Sequence, residues 1–395
     1  MTTTSDPTAG DRQTDSWLAV GVVAFGTFLL VTAEQLPIGL LMRVGSELEV
    51  SAGAAGLMVT VTSIVAGLAA PVIPVAVGRM DRRWLLVGLM GLMTLANVVS
   101  GVARTFEVLI ASRAVVGVAI GGFWAVAGGL AVRLVTARRV PQATAVIFGG
   151  VGAANVFGVP IGTLLGDLAG WRVAFATLSG LALAALIALL AMLPPLAALE
   201  PVRPRQLVGQ FRDRGVRVGI VATLLVVTAH FAAYTFVSPV LQDLSGVRAD
   251  LVGPLLFGFG LAGIAGNFLA GAAVARRLHR TVLAIVGALA TVLLLFPLLG
   301  VTVVGGIVLL IAWGLVYGGV SVSLQTWMIK AAPRAVEAAT ALWVSVFNLA
   351  IGLGALSGGL VVDALGLERV LWFGGACFVV TGLAVWTVRT VDSLR

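Results

Sequence analysis

Twelve apolar runs, each of roughly 20–25 residues, constrain this chain more than anything else in its sequence. An α-helix rises about 1.5 Å per residue, so each run spans a hydrocarbon core about 30 Å thick. The runs are 17–41, 52–77, 84–103, 107–131, 143–166, 172–193, 217–241, 250–274, 282–300, 304–328, 338–362 and 370–388. Only 11 % of residues are charged, against about 25 % in a soluble domain, too few to cover a water-facing surface. The expectation is an all-α membrane protein with twelve transmembrane helices.

Charge placement orients it. Of 25 Lys and Arg, 19 fall in connections on the side of the N-terminus. Five fall on the other side: Arg43, Arg104, Arg172, Arg248 and Arg369. Arg113 is left within a helix. The positive-inside rule then puts both termini in the cytoplasm. It also accounts for the net charge of +8 without a nucleic-acid partner. Residues 1–16 read as a disordered cytoplasmic N-terminus with no removable signal peptide. Cys377 is the only cysteine, and His230 and His279 lie far apart, so no disulfide, metal site or cofactor is expected.

The chain looks duplicated. "GRMDRR" (78–83) and "ARRLHR" (275–280) close corresponding helices at an offset of 197, and "GDLAGWRV" (166–173) and "VDALGLERV" (362–370) recur at 196–197. The implied division is a six-helix half at 17–193, a cytoplasmic linker at 194–216, a second half at 217–388 and a tail at 389–395. Parallel repeats of this kind suit a transporter with a central site between its halves.

Of 17 Asp and Glu, only Glu34 lies well inside an expected helix, in "GTFLLVTAEQLPIGLLM". Arg113 lies inside the fourth. Each sits about 9–10 Å from the outer end of its expected span, so the two share a depth. A charge there costs several kcal/mol and marks either a functional site or a static ion pair. Gly158, Gly162, Gly166 and Gly170 form a ridge without side chains along the fifth helix, with Pro160 adding a bend; such ridges admit close helix approach, static or mobile. Arg79, Arg82 and Arg83 mark a tight basic turn, read as a topology signal or as a latch. "GFGLAG" (258–263) matches a dinucleotide pattern, but no strand precedes it. His230 and Tyr234 share a face of the seventh helix. Trp124, Asn155, Trp313, Gln325 and Asn348 are further large or amide groups at apparent membrane depth. Together these are the candidate substrate contacts.

These motifs resemble the drug:proton antiporter branch of the major facilitator superfamily over nearly the whole chain. "LIASRAVVGVAIGG" carries the arginine motif of helix 4, "GVPIGTLLGDLAGWRVAF" the antiporter motif of helix 5, and "GRMDRR" the loop 2–3 signature. Two residues depart from that signature: Pro74 stands at its first glycine and Gly78 at its usual Asp. Within the branch, "TAEQLPIGLL", "GGFWAVAGGLAVRLV" and "VPQATAVIFG" are similar to purine-ribonucleoside efflux pumps. The resemblance implies proton-coupled export of small molecules from a bacterial plasma membrane, by a protein acting as a monomer. It leaves open purine nucleosides or analogues, drugs and antibiotics, and sugars. An enzyme would need a cluster of reactive groups at one depth, which the acid census opposes. A channel would give non-saturating flux.

Overall fold

The computed structural model describes residues 15–127, 130–196, 213–332 and 336–386. Most of the expected N-terminal segment and of the 194–216 linker, and all of the 389–395 tail, lie outside the described residues. Twelve helices are long and apolar enough to cross a membrane. They are α1 (Trp17–Glu47), α2 (Ala52–Ile73), α3 (Arg82–Val102), α4 (Phe106–Ala127), α5 (Gln142–Ala169), α6 (Trp171–Met192), α7 (Arg214–Tyr234), α8 (Ala249–Val274), α9 (Arg276–Leu299), α10 (Val303–Ala331), α11 (Leu342–Leu365) and α12 (Leu367–Trp386). No strand occurs among the described residues. Odd-numbered helices rise from the end of the bundle where the chain enters, here the terminal end, to the opposite, far end.

Local chemistry sets the helix ends. Ser51 accepts from the Ala54 N–H, Asp81 from Arg83, Asp213 from Gly215 and Val216, and Thr302 from Gly305. Each fills a donor that the first turn leaves unpaired. Prolines set the irregularities. Pro160 has no N–H for the carbonyl four residues back, and α5 widens into a π turn at Ala154–Gly158. Pro239 likewise follows the break after α7, where Phe236 leaves helical geometry before a π turn at Val240–Leu244. The expected gap between the eighth and ninth spans is not a loop. Helix runs from Ala249 to Leu299, and only Arg277 departs, at φ −148° and ψ 74°.

The halves α1–α6 and α7–α12 meet along α2 against α11 and α5 against α8. Close approach there needs glycine. A Cβ on Gly67 would crowd Leu349, one on Gly253 the Pro160 carbonyl, and one on Gly260 the Asn155 carbonyl. Phe157 and Phe257 meet at a tilt across the same seam, with centroids 5.9 Å apart. At the far end Asp363 of α11 accepts from Ser51 Oγ (2.6 Å) and from the Gly53 N–H (2.9 Å) at the start of α2. Nearer the terminal end, Ser345 Oγ donates to Gly67 O (2.9 Å). These contacts between the halves run from the far end to the level of Gly67 on α2 and Gly260 on α8.

The glycine ridge packs within the N-terminal half. A Cβ on Gly158, Gly162 or Gly166 would overlap Thr32, Leu36 or Leu40 of α1. Gly170, with φ +90°, ends α5 instead of extending the ridge. The seam between the halves uses Gly53, Gly67, Gly253 and Gly260 instead.

Candidate functional site

Arg113 is fully buried, and α1 explains how. Pro37 interrupts α1 and has no N–H to give the Ala33 carbonyl. Arg113 Nη1 donates to that vacated oxygen at 3.1 Å. Its Nη2 donates to Asn97 Oδ1 at 3.1 Å and to Ser100 Oγ at 3.4 Å, and its guanidinium lies 5.0 Å from the Phe175 ring. The cation is held by dipoles and a π face in the N-terminal half, and does not snorkel to a surface.

Glu34 follows Ala33 directly but points elsewhere. Its carboxylate accepts from Ser63 Oγ of α2 at 3.1 Å. No ion pair joins Glu34 to Arg113 among the described residues. The shared depth expected from the sequence is real, since Arg113 reaches the residue before Glu34. The expected direct coupling is not made in this conformation, because one turn of α1 presents a carbonyl to α4 and a carboxylate to α2. Glu34 is the only acid among the buried described residues.

Across the cleft an aromatic cluster fills the middle of the C-terminal half. Trp313 Nε1–H donates to His230 Nδ1 at 3.1 Å. His230 stacks on Tyr317 with centroids 3.3 Å apart and planes at 6°, and on Tyr234 at 4.9 Å. Tyr234 stacks in turn on Phe259 at 4.8 Å. His230 and Trp313 are fully buried, whereas Tyr317 and Phe259 are partly exposed. The Glu34 carboxylate lies within electrostatic range of the Tyr317 hydroxyl, linking the two halves.

His230, Tyr234 and Trp313 are thus brought together, as expected. Trp124 and Gln325 are not. Trp124 lies near the terminal end of α4, tilted against Phe148 at 5.7 Å, and Gln325 lies twelve residues beyond Trp313, roughly 18 Å along α10. Both are partly exposed and lie toward the terminal end of their helices. Asn155 sits at the π turn of α5 with its carbonyl against Gly260, and Asn348 spends its amide on Val344 O of its own helix at 2.9 Å. Tyr317, Phe259, Ser63, Asn97 and Ser100 were missed. Tyr317 had a usable signal, standing four residues after Trp313 on the same helix face.

The basic turn packs within the N-terminal half. Asp81 accepts from the Leu196 N–H at 2.9 Å, Arg82 N donates to Leu196 O, and Arg83 Nη2 donates to Leu190 O at 2.6 Å. Arg82 is buried and Arg79 exposed. A separate crevice of about 410 Å³ opens at the far end, lined by Arg43, Asp167, Trp171, Ser238 and Gln242 and by none of the expected site residues.

The sequence profile of the Major Facilitator Superfamily matches residues 23–340. This chain belongs to that superfamily. A purine ribonucleoside efflux pump NepI of Escherichia coli O6:K15:H31 is 34 % identical over 374 residues, covering 94 % of this chain and 93 % of the relative. The pump of the same name in Shigella sonnei has the same identity and coverage. Among solved structures, a bacterial homolog of the human lysosomal transporter Spinster, inward-facing and unoccupied, superposes with a TM-score of 0.74 at 15 % identity over 96 % of this chain and 98 % of that one. The human organic anion transporter MFSD10 gives 0.68 at 18 % identity over 94 % and 99 %. This major facilitator protein is a multi-pass transporter of the bacterial inner membrane, not an enzyme.

Proposed function

We propose that this transporter exports purine nucleosides or close analogues by proton antiport, with Glu34 as the proton carrier. One observation carries the reading: the single buried acid among the described residues is paired with a hydroxyl and not with the nearby guanidinium. An ionised carboxylate at membrane depth is costly unless paired. With Arg113 occupied by Ala33 O, Asn97 and Ser100, a proton removes the charge. The cleft can then change its facing without carrying an unpaired anion.

The substrate class rests on the similarity to purine ribonucleoside efflux pumps and on the flat aromatic cluster, a suitable wall for a base. We place the terminal end in the cytoplasm from the distribution of Lys and Arg. The halves 17–193 and 217–388 then rock about the seam of α2 with α11 and α5 with α8, and one chain suffices.

The test is uptake of radiolabelled inosine and adenosine into everted vesicles. Wild-type protein should show saturable, pH-gradient-driven accumulation that a protonophore abolishes. Glu34→Gln, at matched expression, should fall to the level of vesicles lacking the protein while still binding nucleoside. Undiminished uphill accumulation by Glu34→Gln would remove Glu34 as the coupling site.

A further inference from the structure

His230 occupies, in the second half, the place Glu34 occupies in the first. The offset is 196 (230 − 34), the same as in the repeated motifs, and "TAE" (32–34) answers "TAH" (228–230). Yet the two neighbourhoods differ. Glu34 has a hydroxyl and a charged surrounding helix pair; His230 has rings on every described side.

The hydrogen bond from Trp313 decides the chemistry of His230. An indole N–H only donates, so His230 Nδ1 must accept with a bare lone pair. In the neutral ring the proton then sits on Nε2. A second proton would place an N–H on Nδ1 facing the indole N–H, two donors head to head in a buried site. Trp313 therefore holds His230 neutral and in one tautomer. The other groups facing His230 are Tyr234 on its own helix and Tyr317 on α10, with Glu34 beyond Tyr317. None is a cation.

The Nε2 atom so defined is a donor, and it is buried with no hydrogen-bond partner. A buried donor left unpaired costs about 1–3 kcal/mol, and at membrane depth no bulk water relieves it. A transporter visits other states, and the acceptor belongs to one of them. The ring stacked on His230, Tyr317, is partly exposed, so a swing of that one side chain opens Nε2 to a ligand.

We propose that His230 Nε2–H is the hydrogen-bond donor with which the C-terminal half takes an acceptor atom on the heteroaromatic ring of the substrate, and that Trp313 is the positioning residue that fixes it as a donor. The ligand class is a neutral heterocycle with a ring nitrogen or ring carbonyl in its plane. This rests on the nucleoside reading above. It gives the two central titratable positions different tasks: Glu34 exchanges a proton, whereas His230 keeps one.

The chain has two histidines, so His279→Gln leaves one imidazole to observe. Nitrogen-15 spectra of histidine-labelled His279→Gln protein should show a bare Nδ1 and a protonated Nε2. Adding inosine should shift Nε2 and leave Nδ1 in place. Trp313→Phe should give mixed tautomers. An imidazolium, or a proton on Nδ1, overturns the proposal. In vesicles, the panel is inosine and analogues in which N3 or N7 is replaced by CH or the 6-oxygen is absent. Loss of one neutral hydrogen bond should raise KM roughly three- to tenfold at unchanged kcat for the analogue lacking the acceptor. His230→Leu should raise KM for inosine by a similar factor and erase its advantage over that analogue; His230→Gln, which keeps a donor, should restore part of it. Equal discrimination by wild type and His230→Leu, with inosine exported, overturns this inference alone. Absence of any nucleoside export by wild-type protein overturns the nucleoside reading and this assignment together.

Discussion

The two halves share a backbone plan and divide their chemistry. Gly158 and Gly162 of α5 press on Thr32 and Leu36 of α1; Gly354 and Gly358 of α11 press on Thr228 and Ala232 of α7, each at an offset of 196. Gly170 and Gly366 end their helices with φ of +90° and +92°. Polar content does not repeat. At the same offset, Arg113, Asn97 and Ser100 give way to Leu309, Leu293 and Phe296, all buried. The repeat preserves what packing demands, close helix approach and sharp turns. It lets charge collect in one half and aromatic surface in the other. A proton and a flat neutral substrate need different surroundings, and separating them keeps a fixed buried cation away from the rings.

The largest effect should come from making the first half resemble the second at its polar centre. Arg113→Leu leaves Ala33 O and Asn97 Oδ1 without their donor, about 1–3 kcal/mol each. Transport should be lost and the apparent Tm in detergent should fall. Adding Asn97→Leu should recover part of the Tm and none of the transport. Recovered transport would reduce the cation to a packing device.

Next come the glycines, which differ in what opposes them. A Cβ on Gly358 meets the Ala232 carbonyl of the backbone, whereas one on Gly162 meets the flexible end of Leu36. Gly358→Ala should lower folded yield and Tm more than Gly162→Ala, by about 1–3 kcal/mol against less than that, because a rotamer yields more readily than a helix backbone. Equal losses would show that the α1 seam is as rigid as the α7 seam.

The paired aspartates give a smaller contrast. Asp167 is bound to Arg43 in its own half at 2.7 Å, while its counterpart Asp363 is bound across the halves to Ser51 and Gly53. Asp363→Asn should weaken far-end closure by about 1 kcal/mol, a roughly fivefold shift toward separation. Distances between spin labels at the far ends of α2 and α11 would report it. Asp167→Asn should leave that distribution unchanged.

Smallest is a tether at the terminal end of the first half. Asp15 accepts from the Thr136 N–H at 2.8 Å and pairs with Arg139 at 2.9 Å, and that backbone bond holds its carboxyl below the usual value of 3.8. A lowered folded-state value means its contribution is complete above the usual value and disappears as pH falls through the lowered one. Hydrogen exchange at Thr136 should rise only in that acid window, relative to the trend expected from pH alone, and Asp15→Asn should abolish the step.

Hydropathy made the twelve spans legible because lipid demands length and apolarity of every crossing segment. The halves were legible because repeated turns survive as repeated letters. Glu34 and Arg113 could be matched in depth but not in direction, since 100° of helix rotation separates Ala33 from Glu34 and sequence does not say which face meets which helix. Ser63, Asn97 and Ser100 were illegible for another reason: a small polar residue in a membrane helix usually bonds its own backbone, as Asn348 does. That Trp124 and Gln325 lie apart from the His230 cluster was not legible, because a polar or aromatic letter within a span carries no depth finer than the uncertainty of the span's ends.

The proline four residues after Ala33 has a consequence for how this chain can vary. Any other residue at 37 would bring an N–H that closes the α1 ladder onto the Ala33 carbonyl. The oxygen would then divide its two lone pairs between the ladder and Arg113, and the hold on the cation would weaken. Proline at 37 leaves that oxygen to the guanidinium alone, so a residue of the first helix tunes the seat of a cation 76 positions later in the chain.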